Sequence, residues 1–270
     1  MKQAIFGEKA PFVPPLYLME DPRDYAEFKQ NGLDAFSRFL ALGLRPTDRI
    51  LDIGCGGGRK TIPLLDYLTT GSYEGFDPVA KQVRWCTKRI VPRYPNFRFR
   101  QVDIWSGYFN PSGKIKPSEY RFPFNDGEFD FVIVGSVFTH MFPSDVKHYI
   151  QEISPVLKPH GRGWVTFFLL NHESLHLIAR GTSTLNLVYE IEEGSRTDNP
   201  NRIETAVAHQ EERVLGLFRQ GGIRPEISEY GSWCGRPAHY YQDVIKITKT
   251  SDDLPPTSTI HGTIAAGAGR

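Results

Sequence analysis

Arg49-Ile50-Leu51-Asp52-Ile53-Gly54-Cys55-Gly56-Gly57-Gly58-Arg59 is a short apolar run that ends in glycines. Ile50, Leu51 and Ile53 suit a strand buried in a sheet. Gly54, Gly56 and Gly58 suit a tight turn whose backbone lies against a ligand. The apolar positions in Thr61-Ile62-Pro63-Leu64-Leu65-Asp66-Tyr67-Leu68 predict a helix over 59–69, completing a strand–loop–helix unit of the nucleotide-binding kind. The glycine spacing narrows the choice of nucleotide. A dinucleotide fingerprint, G-x-G-x-x-G, needs glycine at residue 59, where this chain has Arg59. The pattern is instead G-x-G-x-G, with Asp52 two residues ahead of it. A carboxylate beside the loop suits a cationic or zwitterionic ligand better than a pyrophosphate.

Around this unit the chain alternates. Strands are expected at 49–53, 72–76, 97–102, 129–135 and 163–170, with helices at 59–69, 79–91 and 143–157. Such alternation makes an α/β fold whose parallel sheet is covered on both faces. A helix at 209–220 and two strands near 223–231 and 240–248 follow, and the short loop between those strands makes them an antiparallel hairpin. Upstream, Tyr25, Phe28, Leu33, Phe36, Phe39 and Leu40 recur at helical spacing, giving one or two helices with a break near Asn31-Gly32. Residues 1–22, with Pro11, Pro14, Pro15 and Pro22, read as an irregular arm, and 251–270 as a disordered tail.

Four later motifs stand at the ends of these strands. Tyr73-Glu74-Gly75-Phe76-Asp77-Pro78 closes the second strand on Asp77, whose carboxylate either accepts from ribose hydroxyls or caps the next helix. Gln101-Val102-Asp103-Ile104-Trp105 closes the third, and Phe129 through Gly135-Ser136 to His140-Met141 closes the fourth. Ile153 to Trp164 supplies a helix, a turn and a strand. In this order, together with acidic residue-x-Gly-x-Gly-x-Gly, the motifs resemble the class I S-adenosylmethionine-dependent methyltransferases. The resemblance spans about residues 49–170.

That resemblance implies a Rossmann-like, doubly wound, mostly parallel seven-stranded sheet with a C-terminal antiparallel hairpin. The methyltransferase domain would cover 49–250, after an N-terminal arm and helices at 1–48. It also implies S-adenosylmethionine as methyl donor and S-adenosylhomocysteine as product. The residues matching the family's cofactor positions are Asp52, Gly54, Gly56, Gly58, Asp77, Asp103, Ile104, Gly135 and Ser136. Asp77 would meet the ribose, Asp103 the adenine amino group, and Ile104 the face of the ring. Two departures lie away from these positions: His160 replaces a usual glycine, and Pro155 falls in the last turn of its helix.

His140 follows the fourth strand, where related small-molecule enzymes place residues facing the methyl group. It is either a general base for a substrate hydroxyl or a histidine that hydrogen-bonds within its own loop. The acceptor would lie among loops at about 107–124 and 171–207, with Tyr108, His172, Tyr189, Trp233 and Arg236 as candidate contacts. His172 and His176, four apart, lack a cysteine or carboxylate to complete a metal set, so no metal is expected.

Bulk properties restrict the partner. The 270 residues carry 32 basic and 31 acidic side chains, a net charge of +1, which argues against nucleic acid and against a polybasic membrane patch. Cys55, Cys86 and Cys234 are widely spaced, as free thiols in a reducing compartment would be. With no apolar leader at Met1–Lys9, a cytoplasmic protein is expected. An Asn/Asp-Pro-Pro-Tyr/Phe motif, a Pro-Cys nucleophile and an aspartate at the fourth strand's end are all missing. DNA-base and magnesium-dependent catechol methylation therefore lose ground to a small-molecule or sugar hydroxyl. The rival readings are N-methylation, an adenosylmethionine-binding module without catalysis, and a nicotinamide-dependent reductase.

Overall fold

In a computed structural model of the chain, residues 12–19 and 24–251 are described. Most of the expected arm and all of the expected tail beyond Ser251 lie outside them. The core is a seven-stranded sheet built from β1 (Arg49–Ile53), β2 (Ser72–Asp77), β3 (Phe97–Gln101), β4 (Phe129–Val134), β5 (Leu157–Phe167), β10 (Ile223–Glu229) and β11 (Asp243–Lys249). Its order is β10-β11-β5-β4-β1-β2-β3. The first five strands run parallel, β11 pairs antiparallel with β5, and β10 pairs antiparallel with β11. This is the Rossmann-like sheet with a terminal antiparallel hairpin that the sequence predicts.

Alternation along the strands assigns the two faces. Ile50, Phe131 and Ile133 face one side, where they meet Phe28, Phe36 and Phe39 of α1 (Tyr25–Ala41) and Cys86 and Ile90 beside α2 (Ala80–Arg89). Leu51, Ile53, Val132 and Val134 face the other, against α3 (Pro143–Val156) and α5 (Glu211–Gln220). Phe39 packs edge-on to Phe131 and Trp164, so α1 belongs to the same core as the sheet. α1 runs unbroken through Asn31-Gly32, with Gly32 buried and Asp24 capping its start by accepting from Glu27 N–H.

The helix expected at 59–69 is a correction. Only a 3₁₀ turn at Ile62–Leu64 forms there. Pro63 has no N–H to donate into an α-helical ladder, and the surrounding turns close mostly on carbonyls three residues back. The region 171–207, read as acceptor-side loops, holds α4 (His172–Ala179) and two whole strands of a second sheet. That sheet has the order β6-β9-β8-β7, from β6 (Leu169–Leu170), β7 (Tyr189–Glu190), β8 (Arg196–Thr197) and β9 (Val207–Gln210). The start of the helix expected at 209 is therefore strand, and α5 begins at Glu211. Strand β5 begins at Leu157, earlier than expected, and its pairing with β4 skips from Leu157 to Arg162. His160 sits in that skip at φ +61°, a conformation glycine adopts more readily. Among the described residues no helix is long and apolar enough to cross a membrane.

Candidate cofactor and acceptor site

A cavity of about 490 Å³ opens at the carboxyl ends of β1, β2 and β4, where open α/β sheets take their ligands. Its floor is the glycine loop. Gly54 (φ +73°) and Gly56 (φ +52°) hold left-handed backbone, and a Cβ on Gly54 would lie 2.4 Å from Val137 Cγ2. Gly58 is also left-handed, but it stands off the cavity wall, where its missing side chain lets the loop approach Cys86 Sγ.

Asp52 does not line the cavity. It shares the parity of Ile50, so its side chain points into the face beneath the loop and is 0% exposed. There it accepts from Tyr73 Oη at 2.7 Å, and Lys60 Nζ stands 3.4 Å from its other oxygen. Burial pushes its carboxyl up to about 6, against the opposing pull of Lys60 and Tyr73. Lys60 Nζ also donates to Gly54 O at 2.9 Å. Asp52 therefore reaches the ligand side only through Lys60, which does line the cavity.

Asp77 closes β2 at the cavity edge, accepting from Gly56 N–H at 2.9 Å and from Val79 N–H at 2.8 Å. It ties the loop to the start of α2. Ile104 is buried on the wall, whereas Asp103 is exposed beside it, its carbonyl taken by Lys114 and Ile115 N–H. Gly135 and Ser136 both reach the cavity. Ser136 adopts φ +58°, held by its N–H to Thr166 Oγ1 and its Oγ to Gln242 Oε1.

His140 faces the same cavity from the short turn after β4. Its Nδ1 lies 2.8 Å from the carbonyl oxygen of Glu204, and its ring lies parallel to Tyr108 and edge-on to Phe109. Asp145, Tyr149, Trp105 and Glu204 complete this end. Burial pushes the Asp145 carboxyl up to about 6, and the nearby Glu204 charge adds to the rise.

Of the expected acceptor contacts, only Tyr108 lies on the cavity. Trp233 is 0% exposed in a separate apolar cluster with Phe168 and Leu187, its Nε1 donating to Asp243 at 2.7 Å. Arg236 pairs with Glu173 and Asp243. His172 begins α4 and Tyr189 lies exposed on β7, both away from the cavity. These four are corrections: Trp233 is buried and Arg236 ion-paired against Asp243 of β11, while His172 and Tyr189 stand on α4 and β7, outside the cavity lining. Cavity residues the sequence reading passed over include Lys60, Gln82, Asp145, Glu204 and Leu18. Gln82 carried a usable signal, a polar residue on the apolar face formed by Val79, Val83 and Cys86.

Comparison with known proteins bears on this geometry. Residues 50–161 match the sequence model of a methyltransferase domain, the same stretch that supplies the loop, Asp77 and His140. Over these residues the chain is similar to that domain, and its motifs resemble the class I S-adenosylmethionine-dependent methyltransferases. An uncharacterized methyltransferase of Schizosaccharomyces pombe is 25% identical over 156 residues, covering 53% of this chain and 52% of that protein. The chain thus spans about half the length of this curated relative. Among solved structures, the PH0226 protein of Pyrococcus horikoshii aligns with TM-score 0.58 and 18% identity, over 90% of this chain and 99% of that one. Magnesium protoporphyrin IX methyltransferase of Synechocystis, solved with S-adenosylhomocysteine bound, aligns with TM-score 0.55 and 14% identity, over 92% and 96%. At these identities the two structures share the fold.

Proposed function

We propose that the protein methylates a hydroxyl group of a small molecule or sugar, using S-adenosylmethionine and with His140 as general base. Bound S-adenosylmethionine would supply an activated methyl group and leave as the neutral thioether. The chain's fit to that donor rests on its own residues. Gly54 and Gly56 leave open backbone on the cavity floor, Asp77 stands at the end of β2 for the ribose, and Ile104 gives an apolar wall for the adenine. Lys60 and Arg59 offer positive charge for the donor's carboxylate.

The observation that carries the oxygen assignment is the His140–Glu204 contact. A carbonyl oxygen only accepts, so Nδ1 carries the proton, and in the neutral ring the lone pair is on Nε2. A base there would take the acceptor's hydroxyl proton as the oxygen forms its bond to the methyl carbon. Orientation does the remainder, with Tyr108, Phe109, Trp105 and Tyr149 as walls. The balanced charge of 32 basic and 31 acidic residues supports a small molecule over nucleic acid. We take 49–250 as the working domain, with α1 as its N-terminal cover.

Calorimetric titration with S-adenosylmethionine, S-adenosylhomocysteine and NADH tests the donor. Binding of NADH in preference to both sulfur ligands would overturn it. A panel of hydroxylated and amino acceptors with radiolabelled donor tests the reaction. Labelling confined to amines defeats the oxygen assignment, and binding with no labelling at all favours a non-catalytic module.

A further inference from the structure

A second cavity, of about 270 Å³, opens beside the first and shares Trp105, Tyr108, Glu204 and Thr205 with it. The connection from β8 to β9 forms one wall through Asn201 and Arg202, and Gly107 and Tyr108 beyond β3 form the other. None of the residues assigned above to the donor lines it. The end of the main cavity where His140 stands therefore continues into a separate space.

Two opposite charges meet in that space without pairing. Arg202 and Glu204 are two positions apart and both line the second cavity, yet among the described residues neither has an ion-pair partner. The Arg202 guanidinium lies over the Tyr108 ring, 5.3 Å from its centre. A guanidinium held by its face keeps its N–H donors free in its plane. The Glu204 carboxylate rests against Gly107, where a Cβ would lie 2.6 Å from Oε2. Its charge adds to the rise of the Asp145 carboxyl, so it acts on the acceptor end of the main cavity as well.

The walls between these charges are aromatic and open. Trp105 and Tyr108 are exposed, and each borders both cavities. A flat π face of this kind suits the C–H face of a sugar ring. The Tyr108 ring is also parallel to that of His140, their centres 6.3 Å apart. The candidate base and the guanidinium thus neighbour one ring, at a separation a single monosaccharide can span. A neutral apolar alcohol would leave both charges without partners. A monohydroxylated aromatic acid would satisfy Arg202, but its one hydroxyl goes to His140 and none remains for Glu204. A sugar bearing an anionic group serves all three.

We infer that the second cavity is an acceptor subsite for an anionic monosaccharide. Arg202 binds its carboxylate or phosphate, Glu204 accepts from a hydroxyl next to the one methylated, and Trp105 and Tyr108 lie against the ring. This rests on the reading above of a hydroxyl acceptor and an S-adenosylmethionine donor. The methylated oxygen gains the methyl carbon as the donor's carbon–sulfur bond breaks, and its proton passes to Nε2 of His140.

The test is an NMR titration of glucuronic acid, glucose 6-phosphate and glucose into protein saturated with S-adenosylhomocysteine, for wild type, Arg202→Gln and Glu204→Gln. Wild type should bind one of the two anionic sugars about tenfold to a hundredfold more tightly than glucose, the worth of a hydrogen bond to a charged group. Whichever is tighter assigns the group as carboxylate or phosphate. Arg202 is exposed, so Arg202→Gln should fold normally, lose that preference and keep its affinity for glucose. Glu204→Gln keeps the backbone carbonyl that meets His140 and should weaken all three sugars alike. Glucose bound as tightly as both acids, or a preference that survives Arg202→Gln, would overturn the subsite. So would protein that binds S-adenosylhomocysteine but no sugar, a result that leaves the donor reading standing. Protein that binds no S-adenosylhomocysteine overturns that reading, and the subsite with it. Because binding is read without turnover, each of these outcomes is separate from a failure of oxygen methylation in the labelling panel.

Discussion

Nδ1 of His140 lies 2.8 Å from the carbonyl oxygen of Glu204, a residue 64 positions further along the chain. The turn after β4 and the 3₁₀ turn at Ile203–Thr205 thereby fix one tautomer between them. Replacing His140 with Asn keeps a side-chain donor but removes the basic lone pair. Methyl transfer should fall by about a hundredfold or more, the usual worth of a general base. Affinity for S-adenosylhomocysteine should be unchanged. A variant that keeps most of its rate in a single-turnover assay would refute the base role.

The glycines of the loop are not equivalent. Gly54→Ala puts a Cβ 2.4 Å from Val137 Cγ2 on backbone at φ +73°, so it should abolish S-adenosylhomocysteine binding and lower the melting temperature. Gly57→Ala meets only the Leu18 carbonyl and Pro14, at 3.1 Å and beyond, and its backbone is not left-handed. It should displace the 3₁₀ turn at Leu16–Leu18 and weaken binding less. Equal effects in calorimetry would contradict this ranking.

Lys60 is the one cation paired with Asp52 among the described residues, and both are buried. Lys60→Met leaves a carboxylate without its partner and frees the Gly54 carbonyl from its donor. Breaking such a pair costs about 3–5 kcal/mol, which urea denaturation would register. Asp52→Asn leaves an amide that Tyr73 Oη can still reach, and should cost less. If the two variants unfold at the same urea concentration, Lys60 is not the loop's support.

How far the sequence reveals this molecule depends on element length. The strands of the large sheet are five or more residues, long enough to show an apolar run or an apolar–polar alternation, and the helices between the first five predict parallel pairing. The second sheet uses strands of two to four residues, too short for any period to emerge. The turn at 59–69 has a helix's apolar spacing, but Pro63 removes a donor the ladder needs. Motif residues at strand ends were legible because a strand end fixes where a side chain stands. Glu204 was not, because it reaches His140 from a three-residue 3₁₀ turn too short for any pattern to emerge. Trp233 and Arg236 misled because residue type does not distinguish a pocket wall from a buried ion pair.

Stability should depend on pH through Asp145. Its carboxyl is pushed from 3.8 up to about 6 by burial, with Ser118 and the Phe142 backbone opposing and Glu204 adding to the rise. The folded chain then holds this proton more tightly than the unfolded chain. Its stabilising contribution is complete below pH 3.8 and lost as pH rises through about 6. Asp145→Asn removes that dependence, whereas Asp52 and Asp243, displaced in the same direction, remain in both proteins. The variant's urea midpoint should therefore gain on wild type between pH 4 and pH 6 and keep a constant offset above. A difference that does not change with pH would contradict the assignment.

Trp233 separates packing from recognition. Its Nε1 shares Asp243 with the N–H groups of Leu169 and Gly231, all within 2.7–2.8 Å. These donors hold the β10–β11 hairpin against β5 and the first strand of the small sheet. Trp233→Phe keeps the ring and removes one donor to a buried carboxylate, which costs about 1–3 kcal/mol. With the indole outside the cavity, cofactor affinity and the acceptor's KM should stay at wild-type values while the urea midpoint falls. A raised acceptor KM at unchanged stability would return Trp233 to the acceptor site.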